Sequence, residues 1–141
     1  MRELIGTRPL MLAGSTVVVF NEKREILLQQ RSEINNWGFP GGAMEYGESL
    51  EETAIRELYE ETGLKAKDLK FIDILSGEKE NHKYPNGDEI FGVTAVYTTS
   101  NISGTLSIND NESLNIKFFP LGNLPSNLVE KARYIIQKHL I

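Results

Sequence analysis

The chain has no cysteine among its 141 residues. That excludes disulfides, a thiolate zinc finger and a thiol nucleophile, and it leaves the redox compartment unmarked. Only two histidines occur, and no Ser-His-acid grouping is evident, so nucleophilic catalysis of that kind has no visible machinery. Positive charge is also in deficit. Fifteen Lys and Arg stand against 20 Asp and Glu, giving a net charge of −5. Broad nucleic-acid binding needs a basic surface, so no stable nucleic-acid partner is expected. A small phosphorylated substrate stays compatible, because a divalent cation inverts the local field. Long apolar runs are missing as well. Residues 9–20 follow Arg2 and Arg8 and carry a faintly cleavage-like Ala13-Gly14-Ser15. That run is too short to span a membrane, and its β-branched Thr16-Val17-Val18-Val19 reads as a buried strand. No linker, low-complexity tract or internal repeat interrupts the chain, and its length suits one domain, residues 1–141. A cytoplasmic, membrane-free protein is the expectation.

What is present alternates in type. Residues 11–20 read as a strand. Asn21-Glu22-Lys23-Arg24 is a polar turn, and residues 25–30 read as a second strand, hairpin-paired with the first. Glycine and proline in Trp37-Gly38-Phe39-Pro40-Gly41-Gly42 rule out helix there. Residues 49–62 read as a helix with Leu50, Ala54, Ile55 and Leu58 as its apolar stripe, closed by Gly63. Strands follow at 70–75 and 89–99, with Pro85-Asn86-Gly87-Asp88 as a turn before the latter. A polar loop at 109–112, a strand at 115–119 and a final helix over 127–139 complete the chain. This order predicts a mixed α/β or α+β layer fold, with helices packed on a mixed sheet.

The helix carries an anomaly. Glu57, Glu60 and Glu61 stand at i, i+3 and i+4, which places three like charges on one face. In water each such pair costs a few tenths of a kcal/mol. A hard divalent cation turns that repulsion into attraction, since magnesium takes a few carboxylates together with waters and phosphate oxygens. The plain alternative is a solvated face, because glutamate is a good helix former. Glu51 and Glu52 suit that alternative, or a role near the positive end of the helix dipole.

The surrounding residues decide between the two. Gly42, five residues, Glu48, seven residues, then Arg56-Glu57-Leu58-Tyr59-Glu60-Glu61-Thr62-Gly63-Leu64 fits the pattern G-x5-E-x7-R-E-U-x-E-E-x-G-U, where U is a bulky aliphatic residue. On these residues, which match the Nudix box, the chain resembles the Nudix hydrolase family, MutT-like. The resemblance extends to the preceding Trp37-Gly38-Phe39-Pro40-Gly41. It implies a Nudix fold, a mixed β-sheet sandwiched between α-helices. It also implies Mg²⁺-dependent hydrolysis of a diphosphate linkage in a nucleoside diphosphate joined to another moiety, with Mn²⁺ as a substitute metal. Glu57, Glu60, Glu61 and the backbone carbonyl of Gly41 are then the expected metal ligands, with one of the glutamates as a candidate base. Arg56 is expected to orient Glu57, and Glu48 to pair with Arg56. Gly42, Glu48 and Gly63 serve as structural positions. The family often carries a further acid on a loop before a late strand, for which Glu112 is the candidate, with Asp110 behind it. Many relatives dimerise, so a homodimer is an expectation, without a stretch of sequence that locates its interface.

The substrate is less legible. The proline that marks ADP-ribose enzymes is not matched: Glu78-Lys79-Glu80-Asn81-His82 occupies the corresponding stretch and Pro85 lies farther on. Tyr84 falls late for the tyrosine that marks dinucleoside polyphosphate enzymes, and the coenzyme A and NADH signatures are missing. Arg31, Lys83 and Tyr84 are the candidate substrate-binding residues, the first two for phosphate and the third for stacking on a base. ADP-ribose or another nucleotide sugar, a modified nucleoside triphosphate and a dinucleoside polyphosphate all remain as candidate substrates. A nucleotide-sensing binding module is the alternative to an enzyme. Its expected mark is loss of a glutamate from the pattern, and none is lost.

Overall fold

The computed structural model describes residues 9–31, 35–108 and 113–141. Glu112 and Asp110, with the rest of the loop at 109–112, lie outside the described residues. The first strand, β1 (Leu10–Val19), lies between two partners. It runs antiparallel to β4 (Gly41–Ala43) and parallel to the long β8 (Glu89–Thr99). β8 in turn pairs antiparallel with β6 (Lys70–Leu75) and with β7 (Asn81–Lys83). This mixed sheet is accompanied by a three-stranded one. There β2 (Ile26–Arg31) lies between β10 (Ser113–Phe119) and β3 (Trp37–Gly38). A short pair, β5 (Leu64–Ala66) with β9 (Ile102–Gly104), completes the strands.

The expected hairpin between the first two strands is corrected by this pairing. Both edges of β1 are already taken, by β4 and β8. Among the described residues, strand pairing toward β2 reduces to the isolated bridge Phe20–Ile26. Asn21 ties the turn by accepting from the backbone N–H of Lys23 and Glu25, after which the strands diverge into different sheets.

Period-2 alternation sends successive side chains to opposite faces. Val17, Val19, Leu27, Ala95 and Tyr97 enter one apolar cluster with Ala54 and Leu58. Val18, Phe20, Ile26, Leu28 and Val96 enter another with Ile135 and Ile136. The central strands are therefore covered on both faces. Helix α1 (Leu50–Thr62) closes one side and α2 (Glu130–Ile135), continued by a π-helical turn Ile136–Leu140, closes the other. This is the mixed sheet between helices that the sequence predicts.

Two helix readings need correction. Ile55 is exposed, and the buried side of α1 is Thr53, Ala54, Leu58, Glu61 and Thr62. The sheet-facing side is partly polar because Thr53 donates to Glu48 and to the Ser49 carbonyl, while Glu61 serves the site described below. The last helix starts at Glu130 rather than near Asn127. The Trp37 N–H donates to the Asn127 carbonyl and the Val129 N–H to the Trp37 carbonyl, which holds that segment extended. Among the described residues no helix is long and apolar enough to cross a membrane.

Candidate active site

Helix α1 presents the glutamates, and both of its ends are firmly capped. Ser49 accepts from the Glu52 N–H while Glu52 accepts from the Ser49 N–H, a reciprocal capping box. Gly63 ends the helix at φ 80°, a left-handed conformation that only glycine adopts freely. The Ser15 hydroxyl on β1 donates to the Leu50 carbonyl at 2.6 Å and fixes the first turn against the sheet.

Arg56 is the hub of the acidic face. Its Nε donates to Glu48 Oε2 at 2.6 Å and its Nη2 to Glu48 Oε1 at 3.0 Å. Nη2 also reaches the Ala43 carbonyl at 2.9 Å, so one guanidinium joins the loop after β4 to the helix. Nη1 donates to Glu57 at 2.9 Å and to Glu60 at 3.2 Å. The Arg56 contacts, chiefly, hold the Glu48 carboxyl down at about 2, and Glu48 in turn pushes the Arg56 pKa up. The predicted pairing of Glu48 with Arg56, and of Arg56 with Glu57, is thus present in the geometry.

Glu61 points the other way, into the protein, and is 3% exposed. It accepts from the Gln29 amide and, at 2.8 Å, from Arg31. The Gly41 N–H approaches at 3.3 Å. Burial pushes its pKa up to about 8, and the neighbouring Glu57 carboxylate adds to the rise against the opposing pull of Gln29 and Arg31. Glu57 and Glu61 therefore form a close carboxylate pair. Glu60 stands apart from it, with its side chain 55% exposed and tied to Arg56. Among the described residues no three His, Asp or Glu side chains converge on a single point. The three glutamates share a helix face, as their spacing requires, yet Arg56 draws Glu60 outward while Gln29 and Arg31 draw Glu61 inward.

Gly42 allows this pair to approach the sheet. A Cβ there would lie 2.5 Å from the Glu57 carboxyl carbon, so any side chain would displace the carboxylate. Gly41, Gly42 and Ala43 form one wall of a cleft of about 360 Å³. Its opposite side carries Glu80, His82, Tyr84 and Lys131.

The candidate substrate residues divide. Tyr84 lines this cleft, its ring edge-on to His82 at 4.3 Å. Lys83 does not line it, because adjacent residues of an extended segment face opposite ways. Its ammonium lies 3.9 Å from Glu89. Arg31 contacts Glu61 and lines a smaller adjoining cavity of about 120 Å³. Two residues not foreseen join the site. Gln29 sits two positions before Arg31 on β2, so alternation alone places it on the same face. Its amide oxygen is buried without a partner among the described residues. Lys131, on α2, lies 3.1 Å from Glu80 and 3.3 Å from Thr94. No sequence signal links it to the box.

A family model of the NUDIX domain matches residues 11–139. A candidate 8-oxo-dGTP diphosphatase of Bacillus subtilis is 32% identical over 121 residues, which cover 85% of this chain and 74% of that protein. A nucleoside diphosphate-linked moiety X motif 6 protein of Mus musculus is 30% identical over 84% of this chain, which spans 37% of the mouse protein. Among solved structures, a MutT NUDIX hydrolase of Burkholderia pseudomallei superposes with a TM-score of 0.78 at 24% identity, covering 94% of this chain and 98% of that one. The chain belongs to the NUDIX domain family. It shares the fold of the MutT NUDIX hydrolase structure.

Proposed function

We propose that the protein hydrolyses a diphosphate linkage in a nucleoside diphosphate joined to another moiety, with Mg²⁺ as the metal and Mn²⁺ as a substitute. The observation that carries this reading is the buried Glu61 carboxylate beside Glu57, next to the glycine wall of an open cleft. Two carboxylates driven together are costly unless a proton or a cation lies between them. All-oxygen donors suit a hard divalent ion. Glu57, Glu60 and Glu61, with the Gly41 carbonyl, would hold it. When bound, such an ion supplies Lewis acidity toward the diphosphate oxygens and a lowered pKa for attacking water.

The chain's own residues supply the rest. Arg56 fixes the Glu57 carboxylate through Nη1 and holds the loop after β4 through Glu48 and Ala43. Gln29 and Arg31 hold Glu61 in place from the side of β2. A general base is drawn from the box glutamates or from Glu112, which precedes Ser113 in the chain. Lys131 and Arg31 offer positive charge to the substrate's phosphates.

A panel of nucleoside triphosphates, nucleotide sugars and dinucleoside polyphosphates, assayed for mononucleotide or phosphate release, tests the reading. Release that needs Mg²⁺ and stops with a chelator is expected. Tight binding of a nucleotide without turnover of any panel member would replace the enzyme with a sensor.

A further inference from the structure

Lys131 stands where three hollows meet. It lines the cleft beside the box, a larger cleft of about 570 Å³ between the β6–β7 segment and α2, and the inner cavity of about 120 Å³. In the cleft beside the box it is the one ammonium among the described lining residues, and Glu80 is the one carboxylate. The two are joined: the Lys131 ammonium lies 3.1 Å from Glu80 Oε1 and 3.3 Å from the Thr94 hydroxyl. Arg31, the other candidate phosphate cation, is held by Glu61 at 2.8 Å. A cleft that faces a polyanion therefore keeps its own cation neutralised.

The two partners differ in freedom. Glu80 closes the short 3₁₀ turn Glu78–Glu80, where its N–H donates to the Gly77 carbonyl at 3.0 Å. The next residue, Asn81, enters β7, which is paired to β8. The Glu80 side chain is 10% exposed, against 40% for Lys131, whose ammonium rides on a flexible four-carbon stem. Glu80 is thus fixed by the backbone around it, while Lys131 can swing. A phosphate oxygen that takes the ammonium takes it from Glu80, and the carboxylate left behind repels the incoming charge.

Resting on the diphosphate-hydrolase reading above, we infer that Glu80 is an internal competitor of the substrate. Its carboxylate occupies the Lys131 ammonium in place of a phosphate oxygen, and nucleotide binding exchanges one anion for the other. The contact lowers affinity for product as well as for substrate, and so favours release after turnover.

Calorimetric titration with a methylene-bridged nucleoside triphosphate in the presence of Mg²⁺ tests this without turnover. Glu80→Gln is expected to bind the analogue roughly tenfold tighter than the wild type, the scale of one charge-assisted hydrogen bond. Glu80→Ala, which leaves Lys131 no acceptor from that side chain, is expected to shift affinity in the same direction. Glu78→Gln removes the same charge from the wall of the larger cleft and is expected to leave affinity unchanged. Thermal unfolding reports that each variant is folded. Weaker or unchanged binding by Glu80→Gln and Glu80→Ala makes Glu80 a residue that positions Lys131 for the substrate, and overturns the inference. Equal tightening by Glu78→Gln overturns it too, because net charge alone then explains the gain. Tighter binding by the Glu80 variants of a protein that hydrolyses no nucleotide sustains the inference and removes the enzyme reading. A wild type that hydrolyses nucleotides, with Glu80 variants that bind no tighter, does the reverse.

Discussion

Arg56 grips Glu48 by two hydrogen bonds, 2.6 Å from Nε and 3.0 Å from Nη2, across eight residues of chain. The same guanidinium holds Glu57. A residue before the helix is thereby linked to a carboxylate on it.

Glu48→Gln weakens that link without touching Glu57, Glu60 or Glu61. Partners that orient metal ligands are commonly worth about 10–100-fold in affinity or activity when removed. The expected outcome is a kcat loss in that range with a smaller change in substrate KM, read by steady-state kinetics at saturating Mg²⁺. A variant with wild-type kcat would return the pair to an ordinary surface contact.

Gln29→Ala removes an amide donor from the buried Glu61 carboxylate. Divalent-cation affinity, measured by calorimetric titration with Mn²⁺, is expected to fall roughly tenfold, at the lower end of the range for such supporting contacts. Unchanged affinity would mean that Arg31 and the Gly41 N–H suffice to hold Glu61.

Lys131→Met takes away the cation between the two clefts. A charge-assisted hydrogen bond contributes about 1.5–3 kcal/mol, so KM for a nucleotide is expected to rise roughly tenfold or more while kcat changes little. Lys131→Arg should recover part of the loss. Kinetics on any substrate hydrolysed by the wild type give the readout, and an unchanged KM would remove Lys131 from substrate binding.

Asp73 governs acid stability at the opposite side of the fold. Its Oδ2 meets His139 at 2.8 Å and Lys138 at 3.0 Å, which ties β6 to the end of the chain. Those contacts, His139 first, hold the Asp73 carboxyl at about 2, below its ordinary 3.8. Between these values the unfolded chain binds more protons than the folded one, so stability rises with pH through the window and is lost as pH falls through it. Asp73→Asn is expected to lower Tm at pH 6, with the gap to wild type closing by about pH 2. Thermal unfolding across pH 2–6 measures it, and a gap that persists unchanged at pH 2 would contradict the assignment.

The box was legible because its meaning is local. Gly42, Glu48, Arg56, Glu57 and Gly63 lie on one loop and one helix, where spacing alone fixes which side chains meet. The ends of β8 and the turn at Pro85-Asn86-Gly87-Asp88 were readable for the same reason. Pairing was not. That β1 lies parallel to β8, with paired residues 80 positions apart in the chain, and not beside β2, depends on which edges other strands occupy. Lys131 reaches the site only through the packing of α2 on the far face of the sheet, and no periodicity in its own helix marks it. The separation of Glu60 from Glu57 and Glu61 was hidden too. Spacing places all three on one face, but the choice between Arg56, Gln29 and Arg31 as partners belongs to the tertiary structure.

The most direct test of the account is the rate of diphosphate hydrolysis as a function of Mg²⁺ for the wild type and for Glu60→Gln. The account predicts a wild-type rate that is absent in chelator and saturates with Mg²⁺. It predicts a kcat orders of magnitude lower in Glu60→Gln, with the thermal transition of the fold retained. Full turnover in chelator, or a Glu60→Gln variant that keeps near-wild-type turnover, would contradict it.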